Sequence, residues 1–371
     1  PTKEEERITI HIAPGVYREQ IIVDVPYISF VNDTPDKEVK LTWYQGIGYQ
    51  YYSSVTGWYD AQNAHDQYKK GEPKNWGAAV QIKSTGFLAE NIVFEHSLNR
   101  YITDEELADG VEPTASGGKP ARDYALDVKS KNATERGCAM FIDTGGNNAE
   151  FYRCKFLSSQ DTVGTGKTGA HAYFKECFIE GGTDYICYDG DTVFDNCVLN
   201  FKGYSDKGSG GYITAAQDSA ENGYLFWNCT VTGSKDLIVD PGYFGRPWGA
   251  KAKVTFVNTK LERSDLILAA GWTSMSNAKP ENANFAEYNT TSLDGKTVDT
   301  SKRVAGTVKT TNPVPDTAAF EKYFGGWTPK HYQREDSTVA FAQNGNPYIQ
   351  DNGDSNLPRP GHTLTAVYSL G

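Results

Sequence analysis

Two aspartates stand at the same place in a repeated pattern and could form a catalytic acid pair. Asp161 follows Cys154 by seven residues, and Asp184 follows Cys177 by the same distance. If the repeats stack as neighbouring strands about 4.8 Å apart, the two carboxyl groups lie side by side and cannot both ionise easily. One would hold a proton near neutral pH while the other stays charged, which places an acid beside a nucleophile. The spacing alone leaves an equal alternative, a solvated or calcium-binding pair of surface aspartates.

The repeated motif, Phe-x-x-Cys-x-apolar, predicts the scaffold that must position this pair. Three copies start at Phe151, Phe174 and Phe194, the pattern continues at Phe226 and, with Thr259 in place of the cysteine, at Phe256, and a looser copy starts at Ala89. Apolar residues alternate inside each copy as in a short strand, and Gly, Asp, Asn and Ser between copies supply turns. A period of 20 to 23 residues is typical of a solenoid in which each repeat adds one coil. We therefore predict an all-β parallel β-helix with long inserted loops.

Composition limits the class of protein and of partner. The net charge of −11 over 371 residues argues against nucleic acid and anionic membranes as partners. No apolar run approaches the length of a membrane-spanning helix. We expect no metal site, because no Cys-x-x-Cys pair occurs and the six histidines are scattered.

Four of the six cysteines occupy one place in the repeat, which favours a buried stack of small side chains over a disulfide framework. These are Cys154, Cys177, Cys197 and Cys229. A bridge between Cys177 and Cys197 stays open, because neighbouring coils are close enough for a disulfide.

Two insertions and a change of composition predict the domain organisation. The first insertion, about residues 46–76, is rich in Tyr and Trp, whose rings either stack on sugars or pack on one another as a small cluster. The second, about residues 99–136, is acidic at first, and a helix is predicted at Thr103–Ala108. After Trp327 the chain becomes polar and rich in Gly and Pro, as in a linker. We expect a β-helix domain over residues 1–330, then over 331–371 a linker and the start of a further module, in a monomer within a longer protein.

Five segments resemble motifs of the pectin methylesterases, carbohydrate esterases built on a right-handed parallel β-helix. Residues 12–19 (IAPGVYRE) look like the N-terminal motif of that family, and residues 285–289 (FAEYN) look like its C-terminal segment. Between them lie the glutamine–aspartate motif at 160–162 (QDT), the second aspartate motif at 181–186 (GGTDYI) and the signature at 245–248 (GRPW). Motifs in the expected order are a specific signal. The family's usual strand and helix ahead of the first motif are absent, so the N-terminal cap is expected to be trimmed.

This resemblance implies a role for each matched polar residue. Asp184 matches the nucleophile that attacks the methyl-ester carbonyl at C6 of a galacturonate unit. Asp161 matches the general acid that protonates departing methanol and then activates water as a base. Gln160 matches an amide that stabilises the oxyanion, and Arg246 matches the partner that orients Asp184.

The resemblance also implies substrate-binding positions, and here the sequence departs from the family. Trp248 matches a residue that stacks on sugar, and Thr183 and Cys138 fall at substrate-binding positions. Cys138 stands where a second glutamine is usual, so one oxyanion donor is missing, a loss that can cost about 10²–10³ in rate. Gly164 replaces a common tyrosine, and Tyr188 ends a Cys-Tyr pair where Phe-Gly is usual. We expect rebuilt substrate contacts.

The sequence thus predicts a carboxylic ester hydrolase that releases methanol from methyl-esterified homogalacturonan in pectin, without a cofactor. That substrate implies a secreted or cell-surface protein. The alternatives are a catalytically weakened pectin-binding module, suggested by Cys138, and an esterase for a different uronate ester. A pectate lyase or a polygalacturonase would need a calcium-binding acidic cluster with a basic residue, or several closely spaced aspartates, and neither pattern is evident.

Overall fold

Parallel strands form most of the chain. The computed structural model of the protein describes residues 1–51, 77–113, 118–208 and 210–332, and the backbone of the strand Ala366–Leu370. Three sheets run along the molecule, and nearly all of their strands pair in parallel with the strand one coil away.

The first sheet consists of the strands Ile8–Ile12, Ile28–Val31, Leu88–Glu90, Ala149–Tyr152, His171–Lys175, Asp191–Asp195, Tyr224–Trp227, Lys253–Val257 and Asn284–Tyr288, with Ala366–Leu370 at its edge. The second sheet consists of Gly15–Arg18, Val39–Trp43, Val93–His96, Lys155–Leu157, Phe178–Gly181, Val198–Phe201, Thr230–Gly233, Lys260–Leu261 and Thr291–Ser292. The third sheet consists of Ile21–Val23, Ala78–Ile82, Cys138–Ile142, Val163–Gly164, Ile186–Tyr188, Tyr212–Ala216 and Tyr243–Gly245.

The remaining elements are short. Tyr49–Tyr51 and Val111–Pro113 form a two-stranded antiparallel ribbon. The α-helices are Asp104–Ala108 and Thr317–Glu321, and the 3₁₀ helices are Glu4–Glu6, Ser97–Asn99, Pro280–Asn282 and Lys322–Phe324. Within the described residues, no helix has the length and apolar character needed to cross a membrane.

The repeated phenylalanine sets the register of the first sheet. It pairs directly from coil to coil in the order Phe151, Phe174, Phe194, Phe226 and Phe256. The apolar residue that ends each motif pairs in the same way in the second sheet, in the order Phe94, Phe156, Ile179, Leu199, Val231 and Leu261. The predicted parallel β-helix is therefore confirmed, with one coil for each repeat.

These phenylalanines form a stack inside the coils. Ring centroids lie 4.6 Å apart between Phe151 and Phe174, 4.8 Å between Phe174 and Phe194, and 4.6 Å between Phe194 and Phe226. All of these side chains are buried in the central core. Each ring gains about 1.5–3 kcal/mol from leaving water, and stacked pairs add about 0.5–1.5 kcal/mol, so the stack holds successive coils in line.

A tight turn between the first and second sheets recurs in the coils from Leu88–Glu90 onward. The residue before each motif cysteine has a left-handed backbone, with φ of 54° at Arg153, 53° at Glu176 and 59° at Asn196. Asparagine adopts this conformation more readily than most residues. Further along, Asn258 donates a side-chain hydrogen bond to Asn228 at 3.0 Å.

All six cysteines are free and buried, which confirms the predicted cysteine stack.

The described parts of the two insertions pack beside the second sheet. Tyr49 and Tyr51 are buried in a small cluster with Tyr44, Leu98 and Val111. For these two rings the packed cluster is confirmed, and sugar stacking is wrong. The other Tyr and Trp rings of this insertion, Tyr52, Trp58, Tyr59, Tyr68 and Trp76, lie outside the described residues. The predicted helix of the second insertion is present at Asp104–Ala108, capped by the side chain of Thr103.

The C-terminal segment covers the outer face of the first sheet. Phe320 and Phe324 pack on Tyr173 and Trp227 of that sheet. The strand Ala366–Leu370, predicted to begin a further module, pairs antiparallel with Ile8–Ile12. The division of the chain at about residue 330 stays a prediction.

His331 fastens this segment through an ion pair. Its Nδ1 lies 2.7 Å from Glu150 Oε1, its Nε2 lies 3.3 Å from Glu90 Oε1, and its ring stacks on Tyr152. Burial disfavours the charged ring, but the hydrogen bonds to the two carboxylates outweigh burial and raise the pKa of His331 to about 9.

The phenylalanine stack can be tested by Phe174→Ala. Because the ring is fully buried between two stacked neighbours, its removal should lower the free energy of unfolding by about 3–5 kcal/mol. The control is Leu293→Ala, since Leu293 is 52% exposed and its truncation should change stability by less than about 0.5 kcal/mol. Urea unfolding followed by tryptophan fluorescence measures both. Equal effects of the two substitutions would show that the stack does not hold the coils.

The His331 ion pair should make stability depend on pH. Because the pKa in the folded state is raised above the ordinary value of 6.5, the contribution is fully present below about pH 6.5 and is lost as the pH rises through about 9. His331→Gln should therefore lower Tm at pH 6 and have little effect at pH 10. Thermal unfolding of both proteins between these values measures the difference. A Tm difference that does not change with pH would contradict this assignment.

Candidate active site

Adjacent coils of the third sheet bring the two predicted aspartates together. Gln160 and Thr183 are directly paired in parallel, so that the next residues, Asp161 and Asp184, are neighbours on successive coils. The backbone N–H of Asp161 donates to the carbonyl oxygen of Thr183 at 3.2 Å. The matching offsets in the sequence thus correspond to matching positions in the solenoid.

Both aspartates have a left-handed backbone just before a strand of the third sheet begins. The value of φ is 59° at Asp161 and 50° at Asp184. Aspartate is one of the few side chains that tolerates this region, and non-glycine residues held there cluster at functional sites. Since the strands Val163–Gly164 and Ile186–Tyr188 follow directly, the turn fixes both carboxyl groups at the same edge of the sheet.

Asp184 is held by a two-point ion pair. Arg246 donates from Nε to one carboxylate oxygen at 2.8 Å and from Nη2 to the other at 2.6 Å. The guanidinium lies 4.0 Å from the centroid of the Tyr212 ring, which fixes its plane. Gly245, the residue before Arg246, lets the backbone lie close to Thr214 of the neighbouring strand, because a Cβ on Gly245 would lie 1.9 Å from Oγ1 of Thr214. Asp184 is thus held at both carboxylate oxygens, and it is only 5% exposed.

The two carboxyl groups differ in acidity. Burial, and then the charge of Asp184, raise the pKa of Asp161 to about 8. Burial also raises the pKa of Asp184, but the hydrogen bonds and charge of Arg246 oppose that rise. Asp161 is therefore the weaker acid of the two carboxyl groups. The pair thus consists of a carboxyl group with a raised pKa beside a buried carboxyl group held by an arginine, an arrangement that could supply an acid and a nucleophile.

The other predicted residues line the same edge. Gln160 is half-buried and pairs with Arg136 on one side and Thr183 on the other. Cys138 is buried on the coil before Asp161, and burial raises the pKa of its thiol, which is therefore neutral. Trp248 is 42% exposed, so its ring is accessible to a ligand.

An aromatic row extends from the site, and sequence analysis missed one member of it. The rings of Phe141 and Tyr188 lie 4.6 Å apart, and those of Tyr188 and Trp248 lie 5.3 Å apart. Phe141 was missed. The signal that could have indicated it is Gly164, because a glycine inside a strand often marks the close approach of another group. A Cβ on Gly164 would lie 2.0 Å from Cδ2 of Phe141, so the glycine makes room for this ring.

Lys167 was also missed. Its Nζ lies 5.3 Å from the centroid of the Phe141 ring and 5.1 Å from that of Tyr188. This lysine adds a positive charge to the aromatic row, and no spacing rule in the sequence indicates it.

Comparison with known families agrees with this geometry. A family model described as Pectinesterase matches residues 116–323, more than half of the chain. The chain belongs to the pectinesterase family. The matched range contains both aspartates and Arg246, so the site lies inside the part that defines the pectinesterase match.

Individual relatives extend the pectinesterase match over more of the chain. Pectinesterase QRT1 of Arabidopsis thaliana is 27% identical over 296 residues, which cover 78% of this chain and 63% of that protein. The chain thus spans less than two thirds of that relative. A crystal structure of a pectin methylesterase from Aspergillus niger has a TM-score of 0.60 at 22% identity, covering 87% of this chain and 88% of the other. A pectin methylesterase in complex with a hexasaccharide has a TM-score of 0.61 at 21% identity, covering 89% and 91%. These structures support the fold.

The charge assignment in this member of the pectinesterase family can be tested by carboxyl NMR. We expect the ¹³Cγ signal of Asp161 to titrate near pH 8. In Asp184→Asn its pKa should fall, because a neighbouring negative charge is gone, yet stay above the ordinary 3.8 because burial remains. Asp161→Asn assigns the signal, and Asp294→Asn at an exposed site serves as control. A signal for Asp161 that titrates near pH 4 would contradict the assignment.

Proposed function

We propose that this pectinesterase family member hydrolyses the methyl esters of galacturonate units in pectin and releases methanol. The observation that carries the proposal is the pairing of an arginine-held carboxylate, Asp184, with a protonated carboxyl group, Asp161, on the next coil. A nucleophile and an acid of this kind are what ester cleavage without a serine requires.

In the first step Asp184 acts as the nucleophile. One of its oxygens attacks the ester carbonyl carbon, and the carbonyl electron pair moves onto oxygen to give a tetrahedral oxyanion. The side-chain amide of Gln160 donates a hydrogen bond to that oxygen. When this electron pair returns to form the carbonyl again, the bond to the methoxy group breaks, and Asp161 gives its proton to the methoxy oxygen so that methanol leaves.

In the second step Asp161 acts as a base. Now ionised, it takes a proton from a water molecule, whose oxygen attacks the acyl group carried by Asp184. The bond to Asp184 breaks, which releases the free galacturonate carboxyl group and restores the starting charges. Arg246 holds the carboxylate of Asp184 in place at the start and the end of this cycle.

The aromatic row suits a sugar polymer. Trp248, which is 42% exposed, contacts the partly buried ring of Tyr188, and Phe141 is fully buried behind Tyr188, so Trp248 offers the exposed ring that can stack on the apolar face of a sugar. We propose pectin as the substrate because of this exposed ring and because of the family to which the chain belongs. We also infer that the protein acts outside the cell, as a monomer within a modular protein.

A pectin-binding module is the second candidate. The observation that favours it is Cys138, a buried neutral thiol and a poor hydrogen-bond donor where the family usually has glutamine. Such a protein would keep the aromatic row and the affinity for pectin while losing turnover.

Methanol release from highly methylated pectin tests the proposal. The wild type should release methanol, and Asp184→Ala and Asp161→Ala should each reduce kcat by at least about 10³-fold, because each removes a group that forms or breaks bonds. The value of kcat/KM should fall as the pH rises through about 8, where Asp161 loses the proton that methanol needs. Asp294→Ala, at an exposed site, should match the wild type.

The outcomes separate the candidates. Pectin binding without any methanol release by the wild type would reject the esterase and support the binding module. Release of a different alcohol or acid from another uronate ester would keep the mechanism and change the substrate.

A further inference from the structure

We propose that Arg136 is the second oxyanion donor of this site and replaces the amide that is missing at Cys138. This inference rests on the proposed esterase function and adds a catalytic residue to it. Neither the family motifs nor the repeat marks Arg136, which became visible only through the pairing of the coils.

The fold places Arg136 in line with the catalytic motifs. Its backbone pairs in parallel with Gln160, which in turn pairs with Thr183 on the following coil. The N–H of the next residue, Gly137, donates to the carbonyl oxygen of Gln160 at 3.2 Å. Arg136 therefore lies on the coil that carries Cys138, directly beside Gln160, the proposed first oxyanion donor.

The guanidinium is tethered at one end. Its Nε donates to Oε1 of Glu135 at 3.0 Å, and that oxygen also accepts from the backbone N–H of Arg136 at 2.8 Å. Glu135 is in turn fixed by Asn99, whose side-chain oxygen accepts from the Glu135 backbone N–H at 3.0 Å. In the described part of the chain, Glu135 is the ion-pair partner of this guanidinium and holds it through Nε alone. The two terminal nitrogens are left for a ligand, and the side chain is 44% exposed.

The charge of Arg136 acts on the groups around the reacting position. It opposes the rise in the pKa of Asp161, of the Cys138 thiol and of the Tyr188 hydroxyl. These groups lie on three different coils at the same edge. Together with the backbone pairing of Arg136 and Gln160, this places the cation at the edge of the sheet where a substrate carbonyl would meet the aspartates.

The chemistry of the site needs such a group. When Asp184 attacks, a full negative charge develops on the carbonyl oxygen, and Gln160 alone supplies a neutral donor. A buried thiol donates weakly, whereas a guanidinium offers several N–H groups and a positive charge. Arg136 gives up no proton here, because the electron pair returns to carbon when the methoxy group leaves.

The test compares one substitution in two backgrounds. Arg136→Gln in the wild type should reduce the maximum of the kcat profile for methanol release about 10²-fold, as expected for loss of one oxyanion donor, and should also move the alkaline limb of the profile to higher pH. Cys138→Gln restores the family amide, and in that background Arg136→Gln should cost less than about tenfold, because two donors remain. Arg136→Lys should retain part of the rate. The matched control is Arg263→Gln, since Arg263 makes a similar Nε ion pair with Asp265 at 3.2 Å on the surface.

Chemical rescue gives a measurement that does not depend on Cys138→Gln folding well. Added guanidinium should restore methanol release by Arg136→Ala in a saturable manner and leave Arg263→Ala unchanged. Equal losses in both backgrounds, or no rescue, would overturn the inference. A shift of the pH profile without a lower maximum would also overturn it, because Arg136 would then only adjust the acidity of Asp161.

Failure of this inference is distinct from failure of the proposed function. A wild type that releases methanol, with an Arg136→Gln variant within twofold of it, rejects only the role of Arg136. A wild type that releases none rejects the esterase, and the oxyanion role falls with it.

Discussion

Parallel hydrogen bonding between successive coils is the constraint on which the structure depends. Each coil can add only in the register that its neighbour allows, and the buried phenylalanine stack penalises any slip. The same register carries outward to the edge of the third sheet, where it sets two carboxyl groups beside each other. The spacing of the acid pair is thus a property of the backbone ladder, and no flexible loop has to bring the groups together.

The ladder alone would make two equal carboxyl groups, and a single arginine makes them different. In the described part of the chain, the side-chain hydrogen bonds of Arg246 go to Asp184, so a cation holds one member of the pair while burial and the nearby charge raise the pKa of its neighbour to about 8. Division of labour between like residues by their surroundings is a general route to acid–base chemistry at neutral pH. Here the difference comes from a turn that follows the strand Tyr243–Gly245, so it depends on a later coil than either aspartate.

Much of this could be predicted from the sequence because a solenoid repeats its local rules. The offsets of Asp161 and Asp184 from their cysteines translated directly into neighbouring positions, and the repeated phenylalanines gave the register. What could not be predicted depends on contacts between residues without a shared pattern. Phe141 fills the space above Gly164, and Tyr49 turns inward, because packing partners far along the chain decide the direction of a ring.

The left-handed backbone at both aspartates limits how this site can change during evolution. Glycine, asparagine and aspartate adopt that conformation at the lowest cost, although Arg153 and Glu176 adopt it in the turns of the first sheet. A single nucleotide change converts an aspartate codon into one for asparagine or glycine, and either residue would keep the turn while removing the carboxylate. The coils therefore allow catalysis to be lost without loss of the fold. In a descendant of this chain that had become a carbohydrate-binding protein, we would therefore expect Asn or Gly at positions 161 and 184.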